Sequence, residues 1–213
     1  MGTPVTPRYS QGVRAFVLLL TTTAVAVASI AGSALAADPY KRHVVRGQGM
    51  SLAVPASWKA IDATLSASTL REFERQNPKL APYIRQLSGP NSPAKFLAFD
   101  PTLRSGFATN VNVVAVPIPN VTFAQYRAAL VGEIRSLADS PVDNRVVTVG
   151  GVRALRLGYR LRITVGGTVT VQTLQYAFQR PGRSVVVTYT TLPSLKARYA
   201  PTFARSAASI RFT

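Results

Sequence analysis

Between Leu155 and Ile163 the chain alternates without a break. Leu155, Leu157, Tyr159, Leu161 and Ile163 fall on one side, and Arg156, Gly158, Arg160 and Arg162 on the other. A period of two means a β-strand with one buried face and one wet or partner-facing face. Gly166-Gly167 follows and suits a tight hairpin. A second strand runs from Val169 to Gln179. Its apolar residues change parity, from Val169 and Val171 to Leu174, Tyr176 and Phe178. Either a β-bulge near Gln172-Thr173 or burial of both faces accounts for the change. After the turn at Arg180-Pro181-Gly182-Arg183, Ser184 to Thr191 reads as a third strand, covered on both sides. Three consecutive antiparallel strands therefore form the centre of the fold, and the remaining elements must cover them.

The chain has 213 residues, and its start reads as a secretory signal over residues 1–36. Arg8 and Arg14 precede a mostly apolar run from Ala15 to Ile30, and Ala34 and Ala36 supply small residues at the cleavage spacing. The alternative is an uncleaved anchor, for which the run is short against the ~20 residues of a span. After cleavage no transmembrane span is expected. Residues 37–45 are polar and basic and read as a loose leader. Residues 46–213 read as one domain, with no repeat and no long linker. Without cysteine the chain has no disulfides and no thiolate chemistry, so its stability must come from its core.

The elements before the meander follow from local signals. Val44 to Gly47 and Met50 to Val54 read as a hairpin, and Trp58 as a residue at the edge of the core. Thr69 with Glu72 forms a capping-box pattern for a helix that Asn77-Pro78 stops, and a second short helix carries Leu80, Ile84 and Leu87. Lys95 to Phe99 and Ala108 to Val116 read as strands. Thr122 caps an amphipathic helix whose stripe is Phe123, Tyr126, Leu130, Ile134 and Leu137. Ser194 is expected to cap a final helix that Pro201 kinks or divides.

Chemistry is scarce. The only histidine is His43, and the eight acids are scattered, so metal clusters and a Ser–His–Asp arrangement lack their parts. No phosphate loop or dinucleotide fingerprint occurs. No catalytic residue, metal ligand or cofactor is assigned. A carboxylate pair such as Asp62 with Asp100 leaves a hydrolase as the least favoured alternative.

Positive charge stands out instead. Residues 37–213 carry 23 Lys and Arg against eight acids, and from Asn144 onward there are eleven bases and no acid. Arg156, Arg160 and Arg162 share a strand face, with Arg153 just before them. Neighbouring side chains on such a face lie roughly 6.6–7 Å apart, and arginine can grip phosphate bidentately. These four residues form a candidate surface for an anionic partner, either lipid headgroups or a cell-wall polymer. A purely solubilising face is the other reading. Nucleic acid is not expected for an exported chain.

The order of elements resembles the PsbP-like superfamily, which includes the photosystem II extrinsic subunit, Ran-binding Mog-type proteins and exported actinobacterial proteins of the LpqN type. The opening GMSLAVPASW (Gly49 to Trp58) is similar to that group's first strand and its Pro-x-x-Trp turn. The closing YAPTF (Tyr199 to Phe203) and SIRF (Ser209 to Phe212) resemble its last helix and last apolar pair. The resemblance implies an α+β domain, an antiparallel sheet with helices on both faces. It also implies a non-catalytic binding or adaptor role with a protein partner, since members act mainly by docking to other proteins. A carrier of a small apolar or anionic ligand is the alternative, with the ligand between the sheet and the segment Ala67 to Ser92.

Overall fold

In the computed structural model, residues 39–62, 93–164 and 168–213 are described. Ala34, Ala36, the two expected helices between Thr69 and Leu87 and the Gly166-Gly167 turn lie outside them. The described elements are β1 (Tyr40–Val45), β2 (Met50–Pro55), β3 (Lys59–Asp62), β4 (Ala94–Phe99), β5 (Asn110–Pro117), α1 (Phe123–Leu137), β6 (Asp143–Val149), β7 (Val152–Thr164), β8 (Thr168–Arg180), β9 (Arg183–Thr191), a 3-10 turn (Pro193–Leu195), α2 (Lys196–Ala208) and β10 (Arg211–Phe212). They form one α+β domain with two antiparallel sheets. The larger sheet has the order β3-β4-β5-β9-β8-β7-β6, and the smaller one β1-β2-β10.

The expected meander is the middle of the large sheet. Residues on β7, β8 and β9 alternate between two cores. One core contains Leu155, Leu157 and Tyr159 of β7, Val171 of β8 and Val186 of β9. It is closed by Tyr126, Leu130, Val131 and Ile134 of α1. The other contains Tyr176 and Phe178 of β8, with Val185, Val187 and Tyr189 of β9. It is closed by Tyr199, Phe203 and Ala207 of α2 and by Leu52 and Val54 of the small sheet. β8 pairs with β7 without interruption from Thr168 to Phe178, so there is no bulge at Gln172-Thr173. The parity change arises because Val169 and Val171 meet the α1 core while Leu174, Tyr176 and Phe178 meet the α2 core.

Three local expectations are corrected. Residues 40–45 are strand β1 rather than part of a loose leader, paired with β2 from Tyr40↔Pro55 to Val45↔Met50. Side chains anchor it as well: Arg42 Nη1 donates to the Ser209 carbonyl at 3.0 Å. Ser194 does not cap α2; it sits in the 3-10 turn, and the N-cap of α2 is Leu195, with no side-chain hydrogen bond. Pro201 does not divide α2, which runs through it. It lies in the second turn, near the helix start, where few backbone bonds are lost.

Other signals act as expected. Thr122 Oγ1 accepts from Gln125 N at 3.3 Å, and Gln125 Oε1 accepts from Thr122 N at 2.9 Å, a complete capping box. Trp58 is buried, with its ring edge-on to Tyr199 at 6.4 Å.

Candidate functional site

The four arginines of the candidate surface do not all lie on one face of the sheet. Arg153 shares parity with Leu155 and lies on the α1 side of β7. Its Cζ is 4.0 Å from the Phe123 ring centroid, a cation–π contact. Arg156, Arg160 and Arg162 share parity with Ala154, which is buried in the α2 core. Further along β7, α2 no longer covers this face, and Arg160 and Arg162 are exposed.

Two of the three are held by carboxylates from the segment between α1 and β7. Arg156 Nη1 donates to Asp143 Oδ2 at 3.0 Å, and Arg145 Nη2 donates to the same oxygen at 3.1 Å. Arg162 grips Asp139 with both nitrogens, Nε to Oδ2 at 2.8 Å and Nη2 to Oδ1 at 3.3 Å. The hydrogen bond from Arg145, then that from Arg156, holds the Asp143 carboxyl below its usual range. Asp139 in turn raises the Arg162 guanidinium above its ordinary value. Arg160 is different. Its backbone is fixed, with N donating to Ser140 Oγ at 2.9 Å and the carbonyl accepting from Asp139 N at 2.9 Å. Among the described residues no carboxylate pairs with its side chain.

Arg156 and Arg160 line a cleft of about 830 Å3 between the β7–β8 face and α2. Lys196, from the first turn of α2, lines the opposite wall, and it too has no carboxylate partner among the described residues. Leu174, Tyr176, Ala200 and Phe203 form the apolar part. The cleft is thus lined by two cations without a carboxylate partner among the described residues, by the Asp143 carboxylate with Arg156, and by an apolar part. Lys196 was not expected from the sequence, since only the crossing of α2 over the sheet brings it to β7. A second groove, about 770 Å3, lies on the other side of the sheet between α1 and β6. Arg127, Arg135 and Arg153 line it.

Carboxylate chemistry finds little support in the geometry. Asp62 pairs with Phe96 and Lys59 with Phe99, so Asp62 and Asp100 sit at opposite ends of the β3–β4 ladder. Four residue steps along a strand separate backbone positions by roughly 13 Å. Asp100 is engaged elsewhere, accepting from Tyr199 Oη at 2.6 Å and from Thr102 N at 2.8 Å. Among the described residues no group of three or more His, Cys, Asp or Glu could hold a metal ion. His43 is half-buried in β1, 5.3 Å from the Phe96 ring centroid.

No family model matches the sequence, and no curated protein matches it. Solved structures do match. Cyanobacterial PsbP (CyanoP) from Synechocystis sp. PCC 6803 superimposes with a TM-score of 0.51 at 14% identity, over 88% of this chain and 99% of that one. LpqN, involved in cell envelope biogenesis of Mycobacterium tuberculosis, gives 0.51 at 14%, over 82% and 91%. The fold is PsbP-like. The Saccharomyces cerevisiae Ran-binding protein Mog1p matches more loosely, at 0.47 and 12% identity over 83% and 96%. At these identities the PsbP-like assignment concerns architecture, and function has to be argued from the cleft itself. No helix among the described residues is long and apolar enough to cross a membrane.

Proposed function

We propose that this chain is an exported, non-catalytic docking domain that acts at the cell envelope and binds an anionic partner through the cleft between β7 and α2. The observation that carries this reading is that Arg160 and Lys196, cations with no carboxylate partner among the described residues, both line that cleft. Arg160 and Lys196 are both exposed, and neighbouring cations raise the local positive potential that attracts a phosphate or carboxylate. The excess of bases after Asp143 adds long-range attraction. Residues 1–36 supply the export signal, cut after Ala36. The envelope link of LpqN accords with this reading.

The test is co-sedimentation of residues 37–213 with phosphatidylglycerol and phosphatidylcholine vesicles and with cell-wall polymer across a salt series. Arg160→Ser with Lys196→Ser is run in parallel. Salt-sensitive binding to the anionic surfaces, lost in the double variant, is expected. Binding that survives the double variant means diffuse charge and no docking site.

A second reading is a carrier for a small anionic amphiphile. The volume of the cleft favours it, because about 830 Å3 lies within the usual range of ligand pockets. The acid group would sit on Arg160 and Lys196, with the apolar body on Leu174, Tyr176 and Phe203. Titration with oleate in the absence of vesicles separates the two readings.

A further inference from the structure

The strand β6 ends the large sheet. Among the described residues it pairs only with β7, so its outer edge carries backbone groups with no strand beside them. None of its residues is buried. Edges of this kind are normally blunted by a proline, a bulge or an inward-pointing charge. β6 has no proline, and its register with β7 runs unbroken from Asp143↔Gly158 to Val149↔Val152. Its two charged residues, Asp143 and Arg145, pair with each other on the face away from α1. On the α1 side it presents Asn144 and Val146, which stand opposite the core residues Leu157 and Leu155. Val146 is 45% exposed, so α1 leaves this face open.

The groove of about 770 Å3 occupies the space between α1 and this edge. Phe123, Arg127, Val131 and Arg135 recur every four residues and form one stripe of the helix along it. A Cβ on Gly132 would meet nothing within 4 Å, which leaves room beside that stripe. Arg127 reaches across to the strand, its Nη2 donating to Asn144 Oδ1 at 2.7 Å. Arg153 enters from β7 and lies over the Phe123 ring. Arg135 is exposed. No acid lines the groove, and among the described residues no carboxylate pairs with any of these three arginines.

We propose that β6 accepts an extended acidic segment of a partner protein, which adds to the large sheet as a further strand and lays its carboxylates on Arg127, Arg135 and Arg153. Main-chain pairing along an open edge supplies affinity, and the side chains that face the groove supply choice. In an added strand every second side chain faces α1, at roughly 6.6–7 Å intervals. Arg127 and Arg135 are eight residues apart on the helix, a rise of about 12 Å. Carboxylates two to four positions apart in the segment are therefore within reach of both, and arginine can grip each one bidentately. A second copy of this chain is a poor occupant. Pairing β6 with its own copy would bring two sets of three arginines together, on a chain whose formal net charge is already +17. This surface lies on the opposite face of the sheet from the β7–α2 cleft and works independently of it.

The experiment titrates the full chain with two labelled, end-blocked peptides that match β6 in length, read by fluorescence anisotropy across a salt series. One peptide alternates glutamate with threonine, the other glutamine with threonine. Amide hydrogen exchange along β6 is followed with and without peptide. The expected result is saturable, salt-sensitive binding of the glutamate peptide, at least tenfold tighter than that of the glutamine peptide. Exchange slows at those β6 residues whose N–H groups point away from β7. Arg127→Ser with Arg135→Ser, two exposed positions outside the core, weakens binding at least tenfold, whereas Arg160→Ser with Lys196→Ser leaves it unchanged. The proposal is overturned by the absence of saturable binding, by equal affinity for the two peptides, or by binding without added protection on β6. Binding that survives the Arg127, Arg135 double variant, or that is lost in the Arg160, Lys196 variant instead, overturns it as well.

Discussion

The Tyr199 hydroxyl donates to Asp100 Oδ2 at 2.6 Å, tying α2 to the end of β4. Burial first, then this hydrogen bond and the negative charge of Asp100, push the Tyr199 phenol up to about 12. A hydrogen bond to a charged group contributes ~1.5–3 kcal/mol. Tyr199→Phe is therefore expected to lower stability by about 2 kcal/mol in urea melts, with little change in m-value. Because the folded value is raised, the contribution of Tyr199 is complete below the ordinary phenol range. It is lost as pH climbs from there towards about 12. An ultraviolet titration should show Tyr199 ionising late, and ionisation at the ordinary tyrosine value would contradict the contact.

Asp143 restrains Arg156, which lines the cleft, and Arg145 on β6. Asp143→Asn should free Arg156 and strengthen retention on phosphatidylglycerol vesicles several-fold at low salt, with no gain on phosphatidylcholine. Unchanged retention would mean that Arg156 takes no part in docking. The carboxyl is held below its usual range, so its pairing favours the folded state above the ordinary carboxylate value. That contribution is lost as pH falls through the lower folded value. Carbon-detected NMR of the side chain reads this directly.

Gly150 and Gly151 form the β6–β7 turn at φ of 58° and 77°. A Cβ on Gly150 would overlap the Ile210 carbonyl oxygen, whereas one on Gly151 meets open space. Gly151→Ala should cost only the backbone strain, ~1 kcal/mol. Gly150→Ala should cost about 2 kcal/mol more, since it also pushes the C-terminal segment off the sheet. Equal losses in denaturant melts would argue against that close contact.

His43 reports on the first strand. Burial, then the neighbouring Lys41, lowers its value below 6.5. A single histidine gives one set of imidazole signals, and their NMR midpoint should lie below that of an unstructured peptide. The neutral form is favoured on folding, so its contribution is present at higher pH and lost as pH falls. A midpoint at the ordinary value would mean that residues 40–45 are loose after all.

Strict alternation made β7 legible, since a strand buried on one face writes its geometry into adjacent residues. The same rule already separated Arg153 from Arg156: their parities differ, and proximity in sequence concealed it. The sequence signals the opening hairpin from Val44 on but not the first four residues of β1, because Tyr40, Lys41, Arg42 and His43 look like a solvated leader. Those four pair with Pro55 to Leu52 of β2, and Arg42 is also held by Ser209, over 160 positions away. Lys196 and the groove between α1 and β6 were beyond reach for a related reason. Each depends on helix placement or on register between strands, and no local pattern carries either one. The split into two sheets is likewise decided by long-range pairing.

The smallest strand has a consequence for timing. Arg211 pairs with Ser51 and Phe212 with Met50, and Thr213 N donates to the Gly49 carbonyl at 2.9 Å. The opening hairpin therefore waits for the last three residues of the chain before its outer edge is closed. Contacts of such long sequence separation form late. The small sheet is thus completed only when residues 211–213 reach β2, after the local β1–β2 hairpin has formed.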